Sequence, residues 1–382
     1  MGVRIVNAEC VTGEAAWRGE ILCRKGRIVE VGPHVEAHAQ DEVIDAEGLL
    51  VMPGGVDPHV HLELEVMGTR SSDDFESGTA AGLAGGTTTV IDFIHPERGQ
   101  AYEEALQIRL AEAGKAVADY GLHMAVTWWD ESVPAQLGRV VRKKGIPSFK
   151  SYLAYKQSIG IEDEELLAAL RALAPLHATM LVHCEDGDAV ERLAARLIEE
   201  GRTGPRWHPD SRPIELEAAA TEKALRLARD AHCRVYIVHV TGAPSAAALR
   251  QARDSGQAAF GETCTHYLLL DRSVYERDDF EAAAYVLSPP LRAVQHQGAL
   301  WQALQDGSLD LVSTDHCPFH LHGQKDAGRD DFRRIPGGGA GLQDRLSLLW
   351  THGVEAGRID RHRFVDLVST MPARLFGLHP RK

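Results

Sequence analysis

Four histidines, one lysine and one aspartate stand where they can do chemistry in this 382-residue chain. His59 and His61 form an HxH pair in Asp57-Pro58-His59-Val60-His61, at the end of an apolar run that starts at Leu49. On a β-strand, residues i and i+2 face the same way, so both imidazoles reach one ion. An isolated HxH is weak by itself, because surface and core histidines also produce it. Thr179-Met180-Leu181-Val182-His183 ends an apolar run in one histidine, and Tyr236-Ile237-Val238-His239 repeats the design. Each alone reads as a satisfied core histidine. Three successive cases are harder to assign to packing, and histidine is the commonest metal-ligand side chain. Leu311-Val312-Ser313-Thr314-Asp315 ends in a carboxylate. A turn explains a lone Asp there, whereas among histidine ligands it can bind metal and take a proton.

Lys150 sits in the strand-like run Ser148-Phe149-Lys150-Ser151-Tyr152, where an unpaired ammonium is costly. A salt bridge or a snorkelling stem is the plain explanation. The chemical one is reaction of the neutral amine with CO₂ to a carbamate, an anion able to bridge two cations. Four His, a modified Lys and one Asp together suit two Zn²⁺-like ions.

These residues need a scaffold that brings positions 59 to 315 to one place. From residue 50 onward, short apolar, β-rich runs alternate with Ala/Leu/Glu/Arg-rich helical stretches. The runs 51–61, 87–93, 122–127, 148–154, 180–184, 234–240, 258–264 and 309–314 predict strands, and 102–120, 164–174, 188–200, 213–231 and 245–255 predict helices. Eight strands with helices between them predict an α/β fold, a (β/α)₈ TIM-like barrel with its site at the strand C-terminal ends. A doubly wound open sheet is the alternative. Before residue 50 the chain reads as short β elements at 4–6, 19–24 and 27–31, with turns at Lys25-Gly26 and Gly32-Pro33. The expected division is an N-terminal β unit over 1–50 and a barrel carrying the candidate metal ligands over 51–382. The polar segment 320–334 reads as a surface loop. Pro336-Gly337-Gly338-Gly339-Ala340-Gly341 reads as a flexible or tightly turning loop, and no Lys-Ser/Thr follows it to make a P-loop.

Composition limits the partners. There are 41 basic and 55 acidic residues, a net charge of −14, which argues against nucleic acid, whose phosphates need a basic surface. Six cysteines are scattered without a CxxC pair, which suits reduced thiols in a cytoplasmic protein. The first residues lack the apolar core of a signal peptide, and no stretch has the length and apolarity of a membrane span. No nucleic-acid or membrane partner is expected.

The motifs resemble the cyclic amidohydrolases, specifically dihydropyrimidinases and D-hydantoinases. The resemblance rests on Pro53-Gly54-Gly55-Val56-Asp57-Pro58-His59-Val60-His61, Gly68-Thr69 with Ser72-Asp73-Asp74-Phe75, Gly85-Gly86-Thr87-Thr88, Ser148-Phe149-Lys150, Ala154-Tyr155-Lys156, Val182-His183 with Glu185 and Gly187-Asp188, His208-Pro209 with Arg212-Pro213, Ile237-Val238-His239-Val240, Ser288-Pro289-Pro290-Leu291-Arg292 and Asp315-His316-Cys317-Pro318-Phe319. It runs along essentially the whole chain. It implies a barrel with a small β-sandwich appendage and two zinc ions, other divalent metals being possible. It implies His59, His61, Lys150, His183, His239 and Asp315 as metal ligands, with Lys150 carboxylated on its side-chain nitrogen. The implied reaction is hydrolysis of the cyclic amide of a dihydropyrimidine or 5-substituted hydantoin to an N-carbamoyl amino acid, through a metal-bridging hydroxide. Asp315 would shuttle the proton, Tyr155 would steady the oxyanion, and the Ser288 backbone would hold the ring amide. Leu64, Val66 and Met67 are candidates for the wall around the ring substituent, with loop packing an equal claim. Relatives of this kind are commonly tetramers, so a homo-oligomer, tetramer or dimer, is expected.

Two departures stand out. The relatives' Pro-Asn-Gly-x-Asn-Gly loop reads Pro336-Gly337-Gly338-Gly339-Ala340-Gly341 here, leaving backbone contacts from Gly337 or Ala340. The relatives also continue past position 382 with strands that complete the appended sandwich, so the appendage is expected to be incomplete. The rivals within the enzyme class are allantoinase and dihydroorotase. The latter usually places Arg two residues after the second His, where this chain has Glu63. The rival outside the class is an inactive scaffold, as in the collapsin-response mediator proteins. All six ligand positions and Tyr155 are filled here, which weighs against it.

Overall fold

The computed structural model describes residues 2–36, 38–277 and 280–382. It begins with strands β1 (Gly2–Val11), β2 (Ala16–Arg24), β3 (Arg27–Gly32), β4 (Glu42–Asp45) and β5 (Leu50–Val51). β1 pairs antiparallel with β2 and parallel with β4 and β5, and β2 pairs antiparallel with β3. Lys25 and Gly26 both take positive φ (51° and 70°), the backbone a two-residue hairpin turn between twisted strands requires. Val11 packs into the main core, and His362 Nδ1 lies 2.8 Å from the Thr12 carbonyl, tying this sheet to the rest. Ile28, Val29, Val31, Val43 and Ile44 of this sheet are exposed.

The main body follows, starting with β6 (Gly55–Val60), the small hairpin β7 (Glu65–Val66) and β8 (Thr69–Arg70), and helix α1 (Phe75–Ala84). Next come β9 (Thr87–Ile94), α2 (Tyr102–Ala113), β10 (Asp119–Ala125), α3 (Val133–Arg139), β11 (Ser148–Tyr152) and α4 (Asp163–Leu173). Then come β12 (Thr179–His183), α5 (Gly187–Glu199), α6 (Ile214–Asp230), β13 (Arg234–Ile237), α7 (Ala243–Asp254), β14 (Ala259–Cys264) and α8 (Thr265–Leu269). The last are α9 (Gln295–Gln305), β15 (Leu311–Ser313), α10 (Arg345–Leu349), α11 (Arg361–Val365) and α12 (Met371–Leu375).

Eight strands form one parallel sheet in the order β6-β9-β10-β11-β12-β13-β14-β15. It closes into a barrel where Val60 bridges to His316 and the His61 N–H donates to the His316 carbonyl at 2.8 Å. Arg345, fully buried, locks this seam. Its guanidinium donates to the carbonyls of Val56 (2.9 Å) and Val312 (3.0 Å), one on each side. Asp57 joins the same seam by accepting from Thr314 Oγ1 at 2.7 Å.

Period-2 alternation sorts the strand side chains. Ile91, Phe93, Leu181, Tyr236, Val238 and Leu311 point into the barrel, where Phe376, just after α12, packs with them. Met124, Phe149, Met180, Val182, Val235 and Ile237 point outward against the helices. Each such side chain buried whole contributes about 1.5–3 kcal/mol. His123 is a polar residue inside, below the ligand cluster. It sits between Ser148 Oγ (2.6 Å) and the Pro58 carbonyl (3.0 Å), and burial pulls its pKa down to about 3, so it stays neutral.

All eight expected barrel strands are present. Several expectations need correction. The run 51–61 is two strands, because Leu50–Val51 leaves the barrel to pair with β1. The helix expected over 102–120 ends at Ala113, and Asp119–Tyr120 already belong to β10. The segment 320–334 is not simply a surface loop, since Lys325 and Phe332 are buried in it. The Gly-rich run turns tightly and is held in place: Gly339 bridges to His316, and Gly338 N–H donates to the Val286 carbonyl at 3.0 Å.

Candidate active site

His59, Lys150, His183 and Glu262 lie within barrel strands, and His61, His239 and Asp315 lie one or two residues past the C-terminal ends of theirs. On β6, His59 is held from its outer side. Its Nδ1 meets Oε1 of Glu262 on β14, the same oxygen accepts the His239 N–H at 3.3 Å, and Oε2 accepts from the Tyr236 hydroxyl at 2.8 Å. An ionised carboxylate only accepts, so Nδ1 is assigned the proton and Nε2 turns its lone pair inward. That Nε2 lies 3.1 Å from Asp315 Oδ1, and His61 Nε2 lies 3.1 Å from the same oxygen. Ligand atoms about 2.1 Å from one tetrahedral ion stand about 3.4 Å apart, so this spacing fits a shared cation. A lone pair facing a carboxylate oxygen also calls for positive charge between them. These three residues form a compact group of potential ligands.

Lys150 on β11 places Nζ 3.5 Å from His59 Nε2. On the far side, His183 Nδ1 and His239 Nε2 converge to 2.9 Å. The structure therefore brings all six expected ligand residues to one end of the barrel, in two adjoining groups. Burial pulls the Lys150 ammonium down to about 8, against the pull of Asp315 and Glu262. Burial also lowers His61, His183 and His239, which favours the neutral imidazoles that metals require. Burial by itself would raise Asp315, but His59 and His61 hold its carboxyl well below the usual range.

The backbone is bent to make this possible. His239, Asp315 and Tyr155 adopt φ of 37°, 49° and 61°. Non-glycine residues seldom hold such angles unless their surroundings enforce them. Tyr155 packs its ring 5.3 Å from that of His183, and burial raises its hydroxyl's pKa against the pull of Arg212. A side-chain carbon added at Gly337 would stand 3.8 Å from Ser288 Oγ. Ala340 is exposed on the same loop, without a side-chain bond to the cluster. Leu64 is half-buried, while Met67 stands exposed at the tip of the β7–β8 hairpin.

Sequence reasoning gave no role to several members. Glu262 is one. Glu185 is another: its carboxylate sits 2.8 Å from His183 Nε2 and pairs with Arg212, whose guanidinium lies 5.4 Å over the Tyr155 ring. His95 and Tyr152 are a third case, joined Nε2 to hydroxyl at 2.7 Å beside His61. Glu262 had a readable signal, a lone carboxylate inside the strand run Ala259-Phe260-Gly261-Glu262-Thr263-Cys264. Glu185 and Arg212 stood among the motifs of the resemblance, without a role assigned to either.

A closed parallel barrel with such a cluster at its strand ends is a familiar hydrolase design, and the sequence profile of the Amidohydrolase family matches residues 50–382. The chain belongs to the amidohydrolase family. Its relatives narrow the branch to D-hydantoinases and dihydropyrimidinases. It is 43% identical to D-hydantoinase of Geobacillus stearothermophilus over 379 residues, 99% of this chain and 80% of that one. It is 45% identical to dihydropyrimidinase of Arabidopsis thaliana over 370 residues, 95% of this chain and 68% of the relative. The crystal structure of dihydropyrimidinase from Brevibacillus agri NCHU1002 superposes with a TM-score of 0.99 at 41% identity, covering all of this chain and 83% of that one.

Proposed function

We propose that the chain hydrolyses the ring amide of dihydropyrimidines or 5-substituted hydantoins, giving N-carbamoyl amino acids. The observation that carries this reading is the convergence of His59, His61, Lys150 and Asp315, with Glu262 turning His59 Nε2 toward the shared Asp315 oxygen. His59, His61, Lys150, His183, His239 and Asp315 would hold two divalent cations, zinc first. Such a pair supplies Lewis acidity at the amide carbonyl and a water that ionises near neutral pH.

The chain's own groups do the rest. With a pKa of about 8, Lys150 has an available neutral amine. Its nitrogen adds to the carbon of CO₂, one proton leaves, and the carbamate carries the negative charge. Asp315, held ionised by His59 and His61, accepts the proton of the attacking water. It returns that proton to the ring nitrogen as the C–N bond breaks. The Tyr155 hydroxyl donates to the developing oxyanion. The Ser288 backbone holds the ring amide, with backbone contacts from Gly337 and Ala340.

The dihydroorotase reading needs a cation after the second histidine. Glu63 is there instead, and it is already paired with Lys115 at 2.6 Å. The deciding experiment is turnover of dihydrouracil, 5-substituted hydantoins, allantoin and dihydroorotate by the metal-loaded protein. Ring opening of dihydrouracil or a hydantoin is expected, and turnover of dihydroorotate alone would overturn the reading. Absence of bound metal after purification with zinc would favour the inactive scaffold. We further propose a β unit over 1–50 ahead of a hydrolase unit over 51–382, a cytoplasmic location, and a homotetramer or homodimer that sizing by light scattering would detect.

A further inference from the structure

Lys325 is a buried charge outside the ligand cluster. Its residue is 1% exposed, yet among the described residues no carboxylate lies within salt-bridge distance of it. Its Nζ donates instead to two backbone carbonyls, Val286 and Gly338, each at 2.9 Å. The Val286 carbonyl also accepts the Gly338 N–H at 3.0 Å, so both its lone pairs are engaged at this one junction. Burying an ammonium without a counter-charge is expensive, so the position calls for a purpose.

What the two carbonyls belong to supplies one. Val286 lies two residues before Ser288, and a carbon added at Gly337 of the Gly-rich loop would meet Ser288 Oγ at 3.8 Å. Gly338 is the centre of the Gly-rich loop. It takes φ of 144°, and any side chain there would strike the Cys317 carbonyl, so the loop is pressed onto the segment that follows Asp315. Cys317 N–H donates to the Gly339 carbonyl at 3.0 Å, fastening the same contact. Lys325 thus stands where the Ser288 segment, the Gly-rich loop and the end of β15 meet.

We propose that Lys325 is a positioning residue that clamps the Gly-rich loop to the Val286–Ser288 segment and so sets the backbone that binds the ring amide. The role of that backbone rests on the proposed function; the clamp itself does not. The requirement is for two N–H donors, since a neutral amine, like an amide NH₂, still reaches both carbonyls.

The test uses the full chain loaded with zinc, with Lys325→Met and Lys325→Gln. In K325M, hydrogen exchange at the Gly338 amide should quicken about ten-fold or more, because its partner carbonyl is released. KM for dihydrouracil or a hydantoin should rise about ten-fold while kcat changes less than about three-fold, with metal content unchanged, the pattern of lost ground-state binding. K325Q should recover most of both effects. An unchanged KM in K325M, a parallel loss of metal or fold, or no recovery in K325Q would overturn the proposal. Failure of the wild type to open any cyclic amide would instead sink the proposed function, while hydrogen exchange would still report on the clamp.

Discussion

Tyr155 and Glu262 divide the work around the cluster in a way that mutation can separate. Tyr155 sits beside His183 with a strained backbone, where its hydroxyl can meet charge that develops on the substrate. Tyr155→Phe should lower kcat by about 10²-fold, the usual cost of one oxyanion donor, and leave bound metal intact. Steady-state kinetics with metal analysis would check this. Glu262 touches His59, Tyr236 and the His239 backbone but is walled off by them from any substrate. Glu262→Gln should therefore weaken metal retention by about 10–100-fold, read by competition with a chelator. Equal retention in both proteins would mean that Glu262 does not aim His59.

At the scale of elements, the barrel strands were legible because each is a short apolar run, and several of them end abruptly in His or Asp. The same rule located His59, His61, His183, His239 and Asp315. Helices α1 and α9 were not legible. α1, Phe75–Ala84, is rich in small residues and two glycines, so it lacks an apolar stripe; its start is fixed by a capping box between Asp74 and Ser77. Lys325 was hidden for a different reason. It lies in a polar connecting segment, and its burial depends on contacts with chain tens of residues away. The strand seam shows the same dependence. Arg345 comes from α10 and fastens β6 to β15 through carbonyls only the fold brings near. Arg345→Met would strand those carbonyls and leave Asp57 buried without its cation. The expected loss is about 3–5 kcal/mol, seen as a lower urea midpoint with the slope unchanged.

For the whole molecule, buried charge makes stability depend on acidity. Burial would raise the Glu185 carboxyl, but Arg212 and His183 outweigh it and hold its pKa down to about 2, against 4.5 for a free glutamate. A depressed carboxyl contributes stability that is complete above the unfolded value and disappears as pH falls through the folded one. Glu185 should thus stabilise the fold above about pH 4.5 and lose its contribution between there and about pH 2. Glu185→Gln should flatten that part of the unfolding-against-pH curve, and an unaltered curve would assign the acid limb to other groups. The seam also has a consequence in time. Asp57 and Thr314, which meet across it, lie 257 residues apart. A ribosome adding about 5–20 residues per second makes the first histidines wait roughly 13–50 s for the aspartate that faces them. Through that interval His59 and His61 lack the Asp315 oxygen they share. Nascent chains arrested before Leu311 should hold no tightly bound metal, so the cation enters last and its capture marks the moment the barrel is whole.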